Sequence, residues 1–548
     1  MSVKIIPPTP SAYTYPLLIK QLLLTPLATA PEQEICYQGR VRHSYRTFYQ
    51  RLQRLANALT GLGVEAGQTV AVMDWDSHRY LECFFAVPML GAVLQTVNIR
   101  LTPEQILYTL NHAQADVLLV HEEFFPLLEK MAGQLTSVKT FVCLRDSETA
   151  AVSPVQMSAE YEAMLAAAAP QFDFPDFDEN AQATTFYTTG TTGNPKGVHF
   201  SHRQLVLHTL GCAAALGSAS AHGQVQREDV YMPLTPMFHV HAWGFPYVAT
   251  LLGLKQVYPG RYQPDVICRL VKEERVTFSH CVPTILHMVL SQARGADFSG
   301  WKIVIGGSAL PEAMVLAAQQ HGIDLFGGYG MSETCPVLSI AHLSRAELAR
   351  PNDEVARLRA KAGRPLPLVD LRVVDEDLRE VAHDGIATGE VVARSPWLTQ
   401  SYVAAPEASE TLWAGGYLHT ADLGNIDPAG FLKVTDRIKD VIKTAGEWTS
   451  SLQIEDIIAK HPAVQEVAVI GIPDEKWGER PLALVVLKAE HAGQVTESAL
   501  RHYAANAIEA AGISRYGILL QVRFVSSLLK TSVGKLNKRL MRESLAGG

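Results

Sequence analysis

YTTGTTGNPKGVHFSH, residues 187–202, carries four threonines and three glycines around Asn194, Pro195 and Lys196. The β-prone Thr185, Phe186 and Tyr187 lead into it, and a helix-like run over 205–216 follows. Glycines let successive backbone N–H groups turn inward, threonine hydroxyls add short donors, and Lys196 adds a mobile cation; the combination has the chemistry of a polyphosphate clamp. It is not a Walker loop, because Gly197 and Val198 follow Lys196 where that pattern needs Ser or Thr opening a helix. Taken alone, the stretch is equally compatible with a flexible surface turn.

Working outward, helix and strand patterns alternate. Phe48, Leu52, Leu55, Ala56 and Leu59 recur at helical spacing over 47–62, and a β-rich segment follows at 69–73. Helical patterns near 81–90 and after Thr102-Pro103-Glu104 alternate with strands at 93–97 and 116–120. Residues 166–180 read as a loop before the threonine-rich stretch. Beyond it, strands are expected at 276–282, 301–305 and 323–326, the last two ending in glycine turns at 306–309 and 327–330. Such alternation implies parallel sheet covered on both faces, with ligands gathered at the carboxyl ends of the strands. Short strands over 368–392 suggest a small β-rich subdomain. After Lys439 a compact unit follows: helix 452–460, strands 464–472 and 482–487, helix 497–510 and a basic tail.

The fold expected is therefore α/β: a large N-terminal domain, 1–436, of two α/β subdomains plus a small β-rich subdomain, then a small α+β C-terminal domain, 437–548. The boundary falls at 436–440.

The 548 residues can fill two or three domains, and 47% hydrophobic with 19% charged residues is the balance of a soluble enzyme. A net charge of -8 argues against nucleic acid as the main partner. The basic cluster Lys535, Lys538, Arg539 and Arg542 reads as a solvated face. Seven scattered cysteines without a C-x-x-C pair point to a reducing cytoplasm, no disulfides and no cysteine metal site. Residues 15–30 look like a secretory core, but Lys20 and Gln21 interrupt the run, so an amphipathic surface helix is the better reading. The apolar run 84–94 is too short to span a bilayer and contains Pro88. Peripheral membrane contact and a homodimer stay open.

The order of TTGTTGNPKG resembles the nucleotide-binding loop of the adenylate-forming superfamily: acyl-CoA synthetases, peptide-synthetase adenylation domains and firefly-type luciferases. The resemblance recurs from about residue 44 to 542. It implies that Thr188, Thr189, Gly190, Thr191, Thr192, Gly193 and Lys196 hold the ATP phosphates. GGYGMSETCP, 327–336, resembles the adenine and metal segment, which assigns Gly328, Tyr329, Gly330, Met331 and Ser332 to the nucleotide and Glu333, with Thr188, to Mg²⁺. Gly307, Ser308 and Ala309 match the opposite side of the adenine pocket. YLHTADLGNID, 417–427, resembles a Thr-Gly-Asp segment with Ala421 in the glycine's place, so Asp422, with Arg437, takes the ribose hydroxyls.

Lys439 falls where relatives pivot a mobile C-terminal domain. Lys535 matches the lysine that reaches the substrate carboxylate and α-phosphate, where a cation bridging two anions favours the transition state. MFHVHAWGFP, 237–246, resembles medium- and long-chain fatty acyl-CoA synthetases. That places His239 at the reacting carboxyl, Trp243 as the gate of an acyl tunnel, and Val240 and Gly328 in the acyl site. His239 and His241 alternate like a metal pair, but no third ligand accompanies them. GEWTSS, preceded by Lys443, resembles the same enzymes; Trp448 covers the acyl-adenylate and Gly446 lies near the CoA thiol. The function implied is ATP-dependent activation of a fatty acid through acyl-AMP and transfer to coenzyme A. A short, thioether or aryl acid as substrate, transfer to a carrier protein, and a non-catalytic nucleotide-binding module remain the alternatives.

Overall fold

The computed structural model describes residues 3–149, 151–188, 194–220, 223–292, 296–444, 447–491, 493–510, 517–531 and 536–546. Its first sheet has seven strands in the order Ala159–Glu160, Thr140–Leu144, Ala115–His121, Thr69–Met73, Val93–Thr96, Gln182–Thr188, Lys196–Ser201. All neighbours are parallel except the last pair. Thr69–Met73 buries every residue, as a strand covered on both faces must.

The covering helices start where the sequence supplies caps. Ser44 accepts from the Thr47 N–H to open Tyr45–Gly61, whose Phe48, Leu52, Leu55 and Leu59 point into the core. Reciprocal capping boxes, Thr102 with Gln105 and Ser201 with Gln204, open Pro103–His112 and His202–Ser218.

The second sheet has nine strands and is parallel from Lys255–Tyr258 through Asp324–Gly330. One continuous apolar core joins the two sheets, running through Val72, Leu119, Phe186, Val304 and Trp397. The β-rich part is an antiparallel sheet of Asp370–Val374, Gly389–Arg394, Leu418–Ile426 and Leu432–Arg437, so it extends well past residue 392. The chain after it builds its own core from Ile442, Ile454, Val469, Leu500 and Val522. That core lies between the hairpin Val464–Asp474 and Gly478–Leu487 and the helices Ser451–Ala459 and Glu497–Ala510.

Residues 15–30 hold the amphipathic surface element expected, a short 3₁₀ turn Ile19–Leu23 that runs into the helix Leu24–Thr29: Leu18, Ile19, Leu22 and Leu23 are at most 2% exposed, while Leu24, Thr25, Ala28 and Thr29 face outward. The turn packs against the helices His78–Met89, His202–Ser218 and Phe245–Leu252, which the sequence brings from far away. The glycines 327–330 are not a turn, because the strand Asp324–Gly330 runs through them and pairs with Val337–Ile340. A Cβ at Gly327 or Gly330 would collide with the Lys361 or Pro336 carbonyl, so close backbone approach explains the glycines. Lys538 is not solvated; it is buried against Glu455. No helix among the described residues is long and apolar enough to cross a membrane.

Candidate active site

Thr188 ends its strand directly opposite Lys196, where the returning strand begins. Lys196 Nζ stands 4.8 Å from the centre of the Tyr402 ring. The Tyr402 segment is stitched to this strand by the Val403 N–H donating to Gly197 O at 2.9 Å, and a Cβ on Gly197 would lie 2.9 Å from Val403. The Tyr402 hydroxyl donates to Glu333 Oε1 at 2.7 Å. Burial, reinforced by the Glu333 charge, pushes that hydroxyl well above its ordinary range and keeps it a donor. Glu333 is 7% exposed, on the 3₁₀ turn Ser332–Thr334 that Met331 starts by donating its N–H to Thr334 Oγ1.

Tyr329 projects from the strand just before this turn. Its hydroxyl donates to Asp422 Oδ2 at 2.8 Å, and Arg437 Nε lies 3.2 Å from Asp422 Oδ1. Asp422 and Arg437 are cross-strand partners in the antiparallel sheet. The Asp422 carboxylate, buried and facing two donors, keeps further lone pairs for a diol. Ala421 has φ +56°, the left-handed conformation that glycine adopts without cost, and its N–H donates to Glu390 Oε1.

Val240–Trp243 forms a left-handed turn, with φ of 48, 54, 47 and 58° at Val240, His241, Ala242 and Trp243. Left-handed backbone costs about 1–2 kcal/mol per residue for L side chains, so the surroundings must hold it. They do: Asp76 accepts the Met237 N–H, Thr96 Oγ1 donates to Phe238 O, and Val240, His241 and Ala242 are completely packed. His241 sits edge-on to Phe84, Phe186 and Phe200 with neither ring nitrogen hydrogen-bonded. Burial pushes its pKa down to about 3, so it is a neutral packing residue. Trp243 lies along Gly306, where a Cβ would be 3.1 Å from its ring and equally close to Gly328 O. The turn thus delivers Trp243 to the same strand ends as Gly307, whose φ is +81°. His239 precedes the turn, half-buried, its carbonyl accepting the Ala242 N–H.

Residues 25–403 match the AMP-binding enzyme family, and 453–535 match the AMP-binding enzyme C-terminal domain. This chain belongs to the AMP-binding enzyme family. A long-chain-fatty-acid–CoA ligase of Thermus thermophilus is 40% identical to it, over 92% of this chain and 90% of that one. A 3-methylmercaptopropionyl-CoA ligase of Ruegeria lacuscaerulensis is 36% identical, over 90% and 89%. In fold, it resembles an anthranilate CoA ligase solved with anthranoyl-AMP, at a TM-score of 0.83 and 24% identity, covering 97% of this chain and 99% of the other.

Within this AMP-binding enzyme, the contacts form one chain of neighbours from Lys196 through Tyr402 to Glu333, and a second from Tyr329 through Asp422 to Arg437. Thr189, Gly190, Thr191, Thr192, Gly193, Gly446, Lys535 and the Trp448 side chain lie outside what is described. Lys443 is exposed on the strand Ile442–Thr444, in register with Trp448, and its N–H donates to Glu479. Tyr402 is the residue that sequence reasoning missed; it lies 69 positions from Glu333, and no local pattern marks it. A carboxylate and a threonine hydroxyl are hard oxygen donors, a set that fits Mg²⁺. His43, His78 and Glu82 also cluster at ligand distance, but Arg51 and the Tyr161 hydroxyl already occupy Glu82, so that cluster reads as a structural ion network.

Proposed function

We propose that this protein is an ATP-dependent fatty acyl-CoA ligase acting through an acyl-adenylate. The fatty carboxylate attacks the α-phosphorus of ATP, a P–O bond forms, and the bond to pyrophosphate breaks. The CoA thiol then attacks the acyl carbonyl, loses its proton to solvent and expels AMP. Asp422, with Tyr329 and Arg437 behind it, holds the ribose hydroxyls. Lys196 and the threonine loop take the β- and γ-phosphates, and Gly307, Ser308 and Ala309 flank the adenine. Lys535 bridges the two anions in the first step, and rotation about Lys439 removes it for the second. Gly446, Trp448 and Lys443 then face the acyl-adenylate and thiol. Mg²⁺, held when bound by Glu333 and Thr188, offsets the triphosphate charge.

The observation that supports this reading is Trp243: a left-handed turn sets its indole against Gly306 and the strand carrying Tyr329, which suits an apolar gate beside the residues assigned to the nucleotide. His239, one turn earlier, stands at the acyl carboxyl. A short thioether acid is the second reading, favoured by the Ruegeria relative. All seven cysteines are free, which supports a cytoplasmic setting.

Carboxylate-dependent exchange of pyrophosphate into ATP, run from acetate to stearate and then with CoA, tests the proposal. A maximum with medium or long chains supports it. Exchange confined to short or thioether acids selects the second reading, and no exchange with any acid removes both. Lys535→Ala is expected to lose about a hundredfold or more in adenylation yet still convert supplied acyl-AMP and CoA to thioester.

A further inference from the structure

One carboxylate bridges the two large sheets beside the segment that carries Trp243. Asp76 follows the first-sheet strand Thr69–Met73 and is 3% exposed. Its carbonyl accepts the Gly260 N–H at 2.9 Å, just past the second-sheet strand Lys255–Tyr258. Each of its side-chain oxygens takes a further donor. Oδ1 accepts the Met237 N–H at 2.8 Å, beyond the second-sheet strand Val230–Leu234, and Oδ2 accepts the Tyr262 hydroxyl. The entry to the left-handed turn Val240–Trp243 is therefore held from the first sheet at two successive residues, Met237 by Asp76 and Phe238 by Thr96. Left-handed backbone is costly for the four residues of that turn, so the turn depends on such ties.

An ionised carboxylate accepts at both oxygens, whereas a neutral acid carries a proton on one of them and sets it against a donor. Burial pushes the Asp76 carboxyl up to about 7; Tyr262, the Met237 N–H and Arg100 oppose the rise, and Asp74 reinforces it. The phenols of Tyr80, Tyr231 and Tyr258 also lie within reach of its charge.

We propose that Asp76 is a positioning residue for acyl recognition, locking the ends of three strands together and so setting where the Val240–Trp243 turn holds the Trp243 indole. In its ionised form both donors are satisfied and the turn is fixed. Protonation leaves one donor facing another and loosens the turn, so acyl affinity falls with pH. The residues assigned to the nucleotide have ties of their own, Tyr329 to Asp422 and Tyr402 to Glu333, and are not moved. The inference rests on the proposed role of Trp243 as the acyl gate.

Pyrophosphate exchange by the full-length enzyme tests it, with the KM for octanoate and for ATP measured from about pH 6 to about pH 8.5. The wild-type octanoate KM is expected to rise about threefold or more as pH falls through about 7, while the ATP KM moves by less than about twofold. Asp76→Asn mimics the neutral acid, with one acceptor and one donor, and should show the high octanoate KM at every pH with no inflection. Tyr262→Phe keeps the ring but removes a donor that holds the Asp76 pKa down, so its inflection should move to higher pH; it serves if Asp76→Asn folds poorly. An inflection that persists in Asp76→Asn, one that stays in place in Tyr262→Phe, or octanoate and ATP KM values that rise together overturns the inference. Trp243→Ala, run alongside, separates the two levels of failure. If that variant keeps the wild-type octanoate KM and chain-length order, the gate falls and the purpose of Asp76 with it; if it changes them while Asp76→Asn keeps the wild-type inflection, the role of Asp76 alone falls.

Discussion

Tyr402 joins Glu333 to Lys196: its hydroxyl donates to Glu333 Oε1 at 2.7 Å, and its ring lies 4.8 Å from Lys196 Nζ. A hydrogen bond to a charged acceptor is worth about 1.5–3 kcal/mol. Tyr402→Phe removes the bond and keeps the ring. It should raise the Mg·ATP requirement and slow pyrophosphate exchange about tenfold or more, with Tm nearly unchanged. Wild-type exchange across a Mg²⁺ titration would show that Tyr402 does not orient Glu333.

Gly306 offers a steric probe of the proposed acyl gate. A methyl group there would press on the Trp243 ring and on Gly328 O, each at 3.1 Å. Gly306→Ala should therefore displace the indole and change the order of preference among acids of different chain length, while KM for ATP moves by less than the acyl KM. Identical chain-length profiles for the variant and the wild type would remove Trp243 from the gate.

Ala421 is held at φ +56°, next to Asp422. Glycine relieves a left-handed penalty of about 1–2 kcal/mol but loses part of the gain to a more flexible unfolded chain. Ala421→Gly should raise the urea midpoint slightly, and Ala421→Val should lower it, since a β-branched residue tolerates that backbone least. The opposite order would mean that this backbone is not strained.

His280 bears on acid sensitivity. It is wholly buried, Tyr231 Oη lies 2.8 Å from its Nε2, and burial pushes its pKa down to about 3. Below its ordinary pKa of about 6.5 the unfolded chain takes up a proton that the folded site refuses. Its contribution is therefore complete above about pH 6.5 and is lost as pH falls toward 3. His280→Gln should flatten the fall in unfolding free energy across that window by about 1.4 kcal/mol per pH unit. Urea melts at several pH values measure it, and an unchanged slope would mean that His280 is protonated in the fold.

Much of the N-terminal architecture is legible because its signals are local. Capping residues such as Thr102 and Ser201, and fully apolar strands such as Thr69–Met73, announce themselves within a few positions. Asp422 and Arg437 are legible as separate pieces of the resemblance, and the antiparallel register makes them neighbours. Residues 15–30 are legible as an amphipathic element, but the three distant helices that cover its apolar face are not. Gly327 and Gly330 mislead because glycine marks tight backbone approach as often as a turn, and which one applies depends on the Lys361 and Pro336 carbonyls across the gap.

Periodicity and caps were enough, in the one-dimensional chain, to determine alternating α/β layers, and the order of the threonine-glycine loop was enough to point to the AMP-binding enzyme family. Tertiary structure alone decided that Tyr402 buttresses Glu333, that four non-glycine residues turn left-handed to present Trp243, and that Lys538 is buried against Ser451 and Glu455 while Arg542 pairs with Asp440. Such contacts join positions tens to hundreds of residues apart, and their energies come from burial and partner geometry, which exist only after the chain has closed on itself.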